Sequence, residues 1–174
     1  MKSVKDYIRT IPDFPKKNIM FRDITTVLQD ADGFKLAIDE MTKLIADTDF
    51  DVVAGIESRG FIFGTPIAYN LNKPFVVIRK QGKLPFNTIS EEYELEYGTA
   101  KIEMHADSIK PGQKVVIVDD LIATGGSMKA AINLVEKLGG EVVGTVFLIE
   151  LIDLGGRKKL EGYDVKSIVV YEGE

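Results

Sequence analysis

The 174-residue sequence contains no cysteine. That excludes a disulfide framework, a thiolate nucleophile and a cysteine-ligated zinc site, and it fits a reducing compartment. Histidine occurs once, as His105 in Met104-His105-Ala106-Asp107; it lies near a turn with no recognisable partner and is read as structural. No apolar run is long enough to cross a bilayer. Met1 to Pro12 carries Lys2, Lys5, Asp6 and Arg9 among its apolar residues, so it lacks the uninterrupted stretch of a signal peptide, and a cytoplasmic location with no membrane association is expected. Positive charge is not in excess either: 22 Lys and Arg stand against 27 Asp and Glu, a net charge of −5. A general nucleic-acid partner is therefore not expected, whereas a small anionic substrate needs only a local positive site. Tryptophan is absent, and there is no internal repeat or low-complexity tract.

What is present reads as one globular domain over residues 1–174. The apolar and charged fractions are 45% and 28%, and the length suffices for one continuous core but not for two ordinary domains. Short β-branched runs alternate with amphipathic stretches, the pattern of an α/β fold with a central, mostly parallel twisted sheet flanked by helices. The strand candidates are Asp51 to Ile56, Pro74 to Arg79, Lys114 to Val118, Glu141 to Leu151 and Lys166 to Tyr171. They read as continuous apolar runs, as strands covered on both faces do. Helices are predicted from Asp32-Gly33-Phe34 to about Ala46, over Gly60 to Asn70, and from the Gly125-Gly126 turn to Leu138, where Gly139-Gly140 supplies the stop. Residues 1–26 have too little apolar periodicity for a domain, yet Phe14, Met20, Phe21 and Ile24 imply packing; they are expected to form a hood over one edge of the sheet. Gln81 to Gly98 is polar, with four glutamates, and suits a mobile loop or hairpin. Residues 83–97 within it are expected to act as a flexible lid.

The sharpest signal is Val115-Val116-Ile117-Val118-Asp119-Asp120-Leu121-Ile122-Ala123-Thr124-Gly125-Gly126-Ser127. It reads as an apolar strand ending in two acids, then a small-residue loop opening a helix. In open α/β sheets ligands bind outside the carboxyl ends of the strands, where these acids and this loop must fall. Gly125 and Gly126 let the backbone approach a ligand, and their N–H groups with the helix N-terminus favour a phosphate. Thr124 and Ser127 add hydroxyl donors. Two carboxylates would repel a polyphosphate, so Asp119 and Asp120 are aimed more sensibly at ribose hydroxyls or at a cation-like sugar carbon. Acids for a ribose and a cradle for its 5′-phosphate describe a single ligand.

This segment resembles the phosphoribosyl pyrophosphate signature of the type I phosphoribosyltransferases. Four further motifs are similar to those of the adenine phosphoribosyltransferases along nearly the whole chain: Phe21-Arg22-Asp23-Ile24, Glu57-Ser58-Arg59-Gly60-Phe61, Arg79-Lys80-Gln81-Gly82-Lys83-Leu84-Pro85 and Leu95-Glu96-Tyr97-Gly98. The resemblance implies transfer of the 5-phosphoribosyl group from phosphoribosyl pyrophosphate to N9 of adenine, giving AMP and pyrophosphate in purine salvage. It further implies that Ala123, Thr124, Gly125, Gly126 and Ser127 hold the 5′-phosphate while Asp119 and Asp120 face the ribose hydroxyls. Ser58, Arg59, Lys80 and Lys83 fall at pyrophosphate positions, and the family's cis non-proline peptide is expected at Ser58-Arg59. Backbone groups of Met20 and Arg22 would read the adenine edge, with Phe21 stacked on the base and Leu121 as the opposite wall. Glu96 matches a residue that assists proton transfer at the purine, and Arg59 is the second catalytic candidate. Magnesium is implied as the cofactor, held mainly by substrate and water with no direct protein site, and a homodimer is expected.

Two alternatives stay open on the sequence. One is an enzyme of the same class acting on hypoxanthine or guanine; there the position of Ala123 usually carries aspartate, so alanine favours adenine. The other is a non-enzymatic sensor of phosphoribosyl pyrophosphate, for which the complete Leu95-Glu96-Tyr97-Gly98 motif would be needless.

Overall fold

Residues 1–173 are described by a computed structural model. Its centre is a seven-stranded sheet. Five parallel strands form its body: β3 (Val52–Ile56), β4 (Phe75–Lys80), β7 (Lys114–Ile122), β8 (Glu141–Leu151) and β9 (Val165–Tyr171). Strands β5 (Thr88–Glu94) and β6 (Thr99–His105) pair antiparallel and extend one edge, giving the order β5-β6-β4-β3-β7-β8-β9. The five apolar residues of β3 are all buried, because helices cover both faces of the sheet. On one face α4 (Gly126–Lys137) packs Met128, Ala131, Ile132 and Val135 against Val52, Ala54, Ile117 and Phe147. On the other, α2 (Ala31–Ile45) and α3 (Arg59–Asn70) pack Met41, Ile45, Phe63 and Ile67 against Val53, Val116, Val118 and Val146.

Local chemistry explains the helix boundaries. The Asp30 carboxylate accepts from the N–H groups of Asp32 and Gly33 and starts α2, two backbone donors that would otherwise face water unpaired. Helix α4 ends where Gly139 takes a left-handed φ of 84° and Gly140 N–H returns to the Val135 carbonyl.

Two sequence expectations change, and one open alternative is decided. Helix α3 begins at Arg59 rather than Gly60. Of the two forms expected for the polar stretch after Gln81, loop or hairpin, the structure shows the hairpin: from Thr88 it is a strand whose Ile89 and Tyr93, four apart on one face, pack on the core beside α4. Strand β7 does not stop at Val118 but runs to Ile122, because β8 is eleven residues long and keeps supplying partners, with Asp119 opposite Phe147 and Leu121 opposite Ile149. Its other neighbour, β3, last pairs at Gly55 with Val118. Asp119 and Asp120 therefore lie within a strand that has lost one neighbour, at the edge of a crevice.

The N-terminal residues form a 3₁₀ turn (Val4–Tyr7) and a two-stranded antiparallel hairpin of β1 (Arg9–Pro12) and β2 (Met20–Asp23). A short α1 (Thr25–Leu28) joins this hairpin to α2, and after β8 the chain makes a second 3₁₀ turn (Ile152–Leu154) and the single-turn α5 (Gly156–Lys159). No helix of the described residues is long and apolar enough to cross a membrane.

Candidate active site

From β3 the chain passes to β4 on one side, while β7 leads to β8 on the other. This reversal of strand order opens a crevice at the carboxyl ends of β3 and β7. Two adjoining clefts occupy it. The larger, about 630 Å³, is lined by Arg59, Glu96, Asp119, Asp120, Leu121, the whole loop from Ala123 to Ser127, and Lys159. The smaller, about 330 Å³, is lined by Glu57, Ser58, Arg59 and Lys80, and shares Asp119, Asp120 and Ser127 with the first. Tyr93 lines both.

The acids are the most constrained part. Asp119 and Asp120 are 9% and 7% exposed. An Asp119 Oδ1 oxygen accepts the Asp120 N–H at 2.9 Å, and Asp120 Oδ2 pairs with Arg59 Nε at 2.6 Å. Burial, and then the charge of Asp120, push the Asp119 carboxyl well above the usual carboxylate range, with Arg59 opposing weakly. Burial and the Asp119 charge likewise raise Tyr93 above an ordinary phenol. The crevice is thus a desolvated acidic pocket with an arginine at its rim.

Beside the acids the backbone turns sharply into α4. Gly125 has φ 82° and caps the helix, and a Cβ on it would meet the Gly156 carbonyl oxygen at 2.9 Å. Gly126 has room for a Cβ, whose nearest neighbours would lie 3.6 Å away, so of the two glycines only the first is demanded by geometry. The loop presents its backbone, Thr124 and Ser127 to the cleft at the N-terminus of a twelve-residue helix, a favourable place for an anion.

The cis non-proline peptide lies one residue earlier than expected, at Glu57-Ser58 rather than Ser58-Arg59. The reason is where the helix starts. Ser58 is already helical in φ and ψ, and its carbonyl accepts the Phe61 N–H, so the Ser58-Arg59 peptide belongs to the first turn of α3. Glu57 itself, in the turn expected to grip pyrophosphate, is an acidic hub. Its side chain is 8% exposed and accepts the Lys80 N–H at 2.6 Å and Lys83 Nζ at 2.6 Å, with Arg79 Nε at 3.4 Å. Lys83 is held on Glu57 outside the lining of both clefts, while Lys80 lines the smaller one.

Met20, Phe21 and Arg22 lie outside the lining of both clefts. They form β2, where Phe21 stacks edge-on to Phe14 at 5.1 Å and Arg22 donates to Thr10 Oγ1 at 2.7 Å with its guanidinium over the Tyr171 ring. Glu96 stands in the β5–β6 turn, closed by the Leu95 N–H to Gly98 carbonyl bond. Lys16, from the β1–β2 connection, approaches both Glu96 Oε1 at 3.6 Å and the Tyr97 ring at 4.9 Å. One bridge therefore joins the N-terminal hairpin to the rim of the crevice.

Tyr93 and Lys159 join the cleft without having been foreseen. Tyr93 could have been found from the Ile89/Tyr93 spacing once a strand was allowed there. For Lys159 the only sequence signal is the Gly155-Gly156 pair, a second tight turn of the kind seen at Gly125-Gly126.

Comparison with known proteins matches the same segments. A model of the phosphoribosyl transferase domain matches residues 25–174. An adenine phosphoribosyltransferase of Agathobacter rectalis is 70% identical over the whole of both chains. The crystal structure of adenine phosphoribosyltransferase from Thermoanaerobacter pseudethanolicus superposes with a TM-score of 0.93 at 54% identity, covering 97% of this chain and 98% of that one. The Saccharomyces cerevisiae enzyme, solved with D-2,5-dideoxy-2,5-imino-altritol 1,6-bisphosphate and adenine, gives a TM-score of 0.89 at 37% identity over 95% of this chain and 96% of that one. On a family match over residues 25–174 and identity of this extent over nearly the whole chain, the chain belongs to the adenine phosphoribosyltransferases of the phosphoribosyl transferase domain family.

Proposed function

We propose that this chain transfers the 5-phosphoribosyl group of phosphoribosyl pyrophosphate to N9 of adenine, releasing pyrophosphate and forming AMP for purine salvage. The observation that carries the reading is the joint lining of one cleft by Asp119, Asp120 and the loop from Ala123 to Ser127. That set suits one ligand, a ribose bearing a 5′-phosphate. The yeast relative's complex with adenine and a bisphosphorylated imino-sugar is the same combination of ligands in a related protein.

In this mechanism the loop from Ala123 to Ser127 binds the 5′-phosphate through backbone N–H groups, Thr124 and Ser127. Asp119 and Asp120 accept from the ribose hydroxyls and stabilise the positive charge that grows on the sugar as the C1–pyrophosphate bond breaks. Arg59, Ser58, Lys80 and Lys83 take the leaving pyrophosphate. To do so Arg59 leaves Asp120 and Lys83 leaves Glu57, so each carboxylate balances a cation until substrate replaces it. Adenine lies against Leu121, with Phe21 on its other face and backbone groups of Met20 and Arg22 along its edge. This arrangement needs residues 1–26 to close as a hood over the cleft, with residues 83–97 closing as a lid, and the Lys16 bridge to Glu96 and Tyr97 ties the two together. Glu96 then holds or moves a proton on the purine ring.

The donors fit magnesium. Asp119 and Asp120 offer hard oxygen ligands in the crevice. That suits an ion carried by substrate oxygens and water beside one or two carboxylates. When bound, it would offset the negative charge of the pyrophosphate. A single 1–174 domain acting in the cytoplasm as a homodimer, with no nucleic-acid partner, completes the proposal.

Pyrophosphate release tests it, with adenine, hypoxanthine, guanine and orotate offered in separate reactions containing magnesium and phosphoribosyl pyrophosphate. Release with adenine alone is expected. Release only with another base would overturn the adenine assignment, and tight binding of phosphoribosyl pyrophosphate with release from none would make the protein a sensor.

A further inference from the structure

The turn after β8 is built against the loop from Ala123 to Ser127. Gly156 is buried, and a Cβ on it would stand 2.7 Å from the Ala123 carbonyl oxygen and 2.6 Å from Ile122 Cγ1. Seen from the other side, a Cβ on Gly125 would strike the Gly156 carbonyl. Backbone lies against backbone there, with the Ile122 side chain alongside.

The orientation of this turn is fixed by its next residue. Arg157 donates from Nε and Nη2 to the two oxygens of Glu150, at 2.6 and 2.8 Å, and from Nη1 to the Val165 carbonyl at 2.8 Å. Ser167 Oγ donates to Glu150 Oε2 at 2.6 Å. Glu150 is only 3% exposed, and a forked, charge-assisted pair fixes direction as well as distance. The Arg157 guanidinium holds the Glu150 carboxyl below its usual range, against the effect of burial.

Lys159 follows two residues later, about 200° round the helix from Arg157. It therefore points the other way, and it lines the larger cleft together with Thr124, Gly125, Gly126 and Ser127. Among the described residues it has no ion-pair partner. The other cation of that cleft, Arg59, is engaged by Asp120. An unpaired ammonium on a turn clamped against a phosphate-type loop is placed where a phosphate dianion needs charge, because the loop itself offers only neutral donors.

We propose that Lys159 binds the 5′-phosphate of the phosphoribosyl substrate, and that Gly156 and the Glu150–Arg157 pair are positioning residues that hold it there. The assignment rests on the reading of the loop from Ala123 to Ser127 as the phosphate cradle. Lys159 is exposed, so its replacement leaves folding intact.

The test is titration of the full-length protein with ribose 5-phosphate and, separately, with pyrophosphate. Lys159→Ala is expected to weaken ribose 5-phosphate binding by about 10- to 100-fold, the range for losing one hydrogen bond between charged groups. Pyrophosphate affinity and the KM for adenine should be unchanged, and Lys159→Arg should restore binding. Arg157→Met should raise the KM for phosphoribosyl pyrophosphate while keeping kcat at saturation, the split expected of a positioning residue. Wild-type ribose 5-phosphate affinity in Lys159→Ala, beside a loss in Thr124→Ala or Ser127→Ala, would overturn the Lys159 assignment and leave the cradle. No loss in any of the three would overturn the cradle, and Lys159 with it. Equal weakening of pyrophosphate would reduce Lys159 to a diffuse field and also refute the proposal.

Discussion

Replacing Gly125 by alanine separates two costs that the structure keeps distinct. A left-handed backbone costs a residue with a Cβ about 1–2 kcal/mol, partly offset by about 0.4–1 kcal/mol from the stiffer unfolded chain. Gly112 supplies that cost alone: its φ is 85°, nothing lies within 4 Å of its Cβ position, and it precedes the amino end of β7, away from the crevice. At Gly125 the φ is similar, but the new Cβ would lie 2.9 Å from the Gly156 carbonyl oxygen and 3.2 Å from its Cα. That neighbour is backbone and cannot rotate away, so the loop or the α5 turn must shift, adding about 1–3 kcal/mol. Gly112→Ala should then lose about 1 kcal/mol, or about 2–4 °C in Tm for a chain of this size, and Gly125→Ala roughly two to four times as much. Calorimetric melts give the first comparison and ribose 5-phosphate titration the second, since only the Gly125 variant moves the cradle and should bind weakly. Equal losses of Tm in the two variants, with wild-type ribose 5-phosphate affinity in both, would refute the claim that contact with Gly156 shapes the loop.

Asp119→Asn with Asp120→Asn should abolish turnover and weaken phosphoribosyl pyrophosphate binding with little loss of stability, since a buried acid pair is costly to keep ionised; unchanged turnover in the double variant would remove both from the ribose site. Glu96→Gln should lower kcat and leave both KM values near wild type, and full turnover would end its catalytic role. Asp23 gives a pH prediction. Hydrogen bonds from Thr25 Oγ1 and N–H, then from Arg9, lower it from its ordinary 3.8 to about 2. A carboxyl with a depressed folded-state value stabilises fully above 3.8 and loses that contribution as pH falls towards 2, about 1–2 kcal/mol in all. Urea unfolding at pH 5 and pH 2.5 should show a smaller drop in Asp23→Asn than in wild type, and parallel drops would show that Asp23 contributes nothing.

The sheet was legible because its parallel strands are buried on both faces and so read as unbroken apolar runs; Glu141 to Leu151 was bounded to the residue. The hairpin of β5 and β6 was legible as a loop or hairpin, but not as two strands of the sheet. On β5 the outward positions carry Glu92 and Glu94, and the inward Glu91 separates Ile89 from Tyr93, which leaves too few apolar marks to show a period before the partner strand is known. The end of β7 was misjudged for a related reason. Acidic residues suggest the end of a strand, but strand length is decided by the neighbour, and β8 continues past the point where β3 stops.

The site divides along the same line. Asp119, Asp120 and the loop to Ser127 are contiguous, so one stretch of sequence carried their geometry. Lys159 reaches the crevice from the turn after β8, and what brings it there is contact that no spacing encodes, Gly156 lying on Ala123; Glu57 sits in a motif at the end of β3, but its charge partners Lys80 and Lys83 fold back onto it from β4 and the segment after it. Their roles follow from neighbours distant in the chain. A sequence motif reveals the residues that touch a ligand from one loop, whereas the residues that balance charge or aim that loop come from elsewhere in the fold. For that reason Glu150, with no place in any motif, governs through Arg157 the direction of the phosphate contact proposed for Lys159.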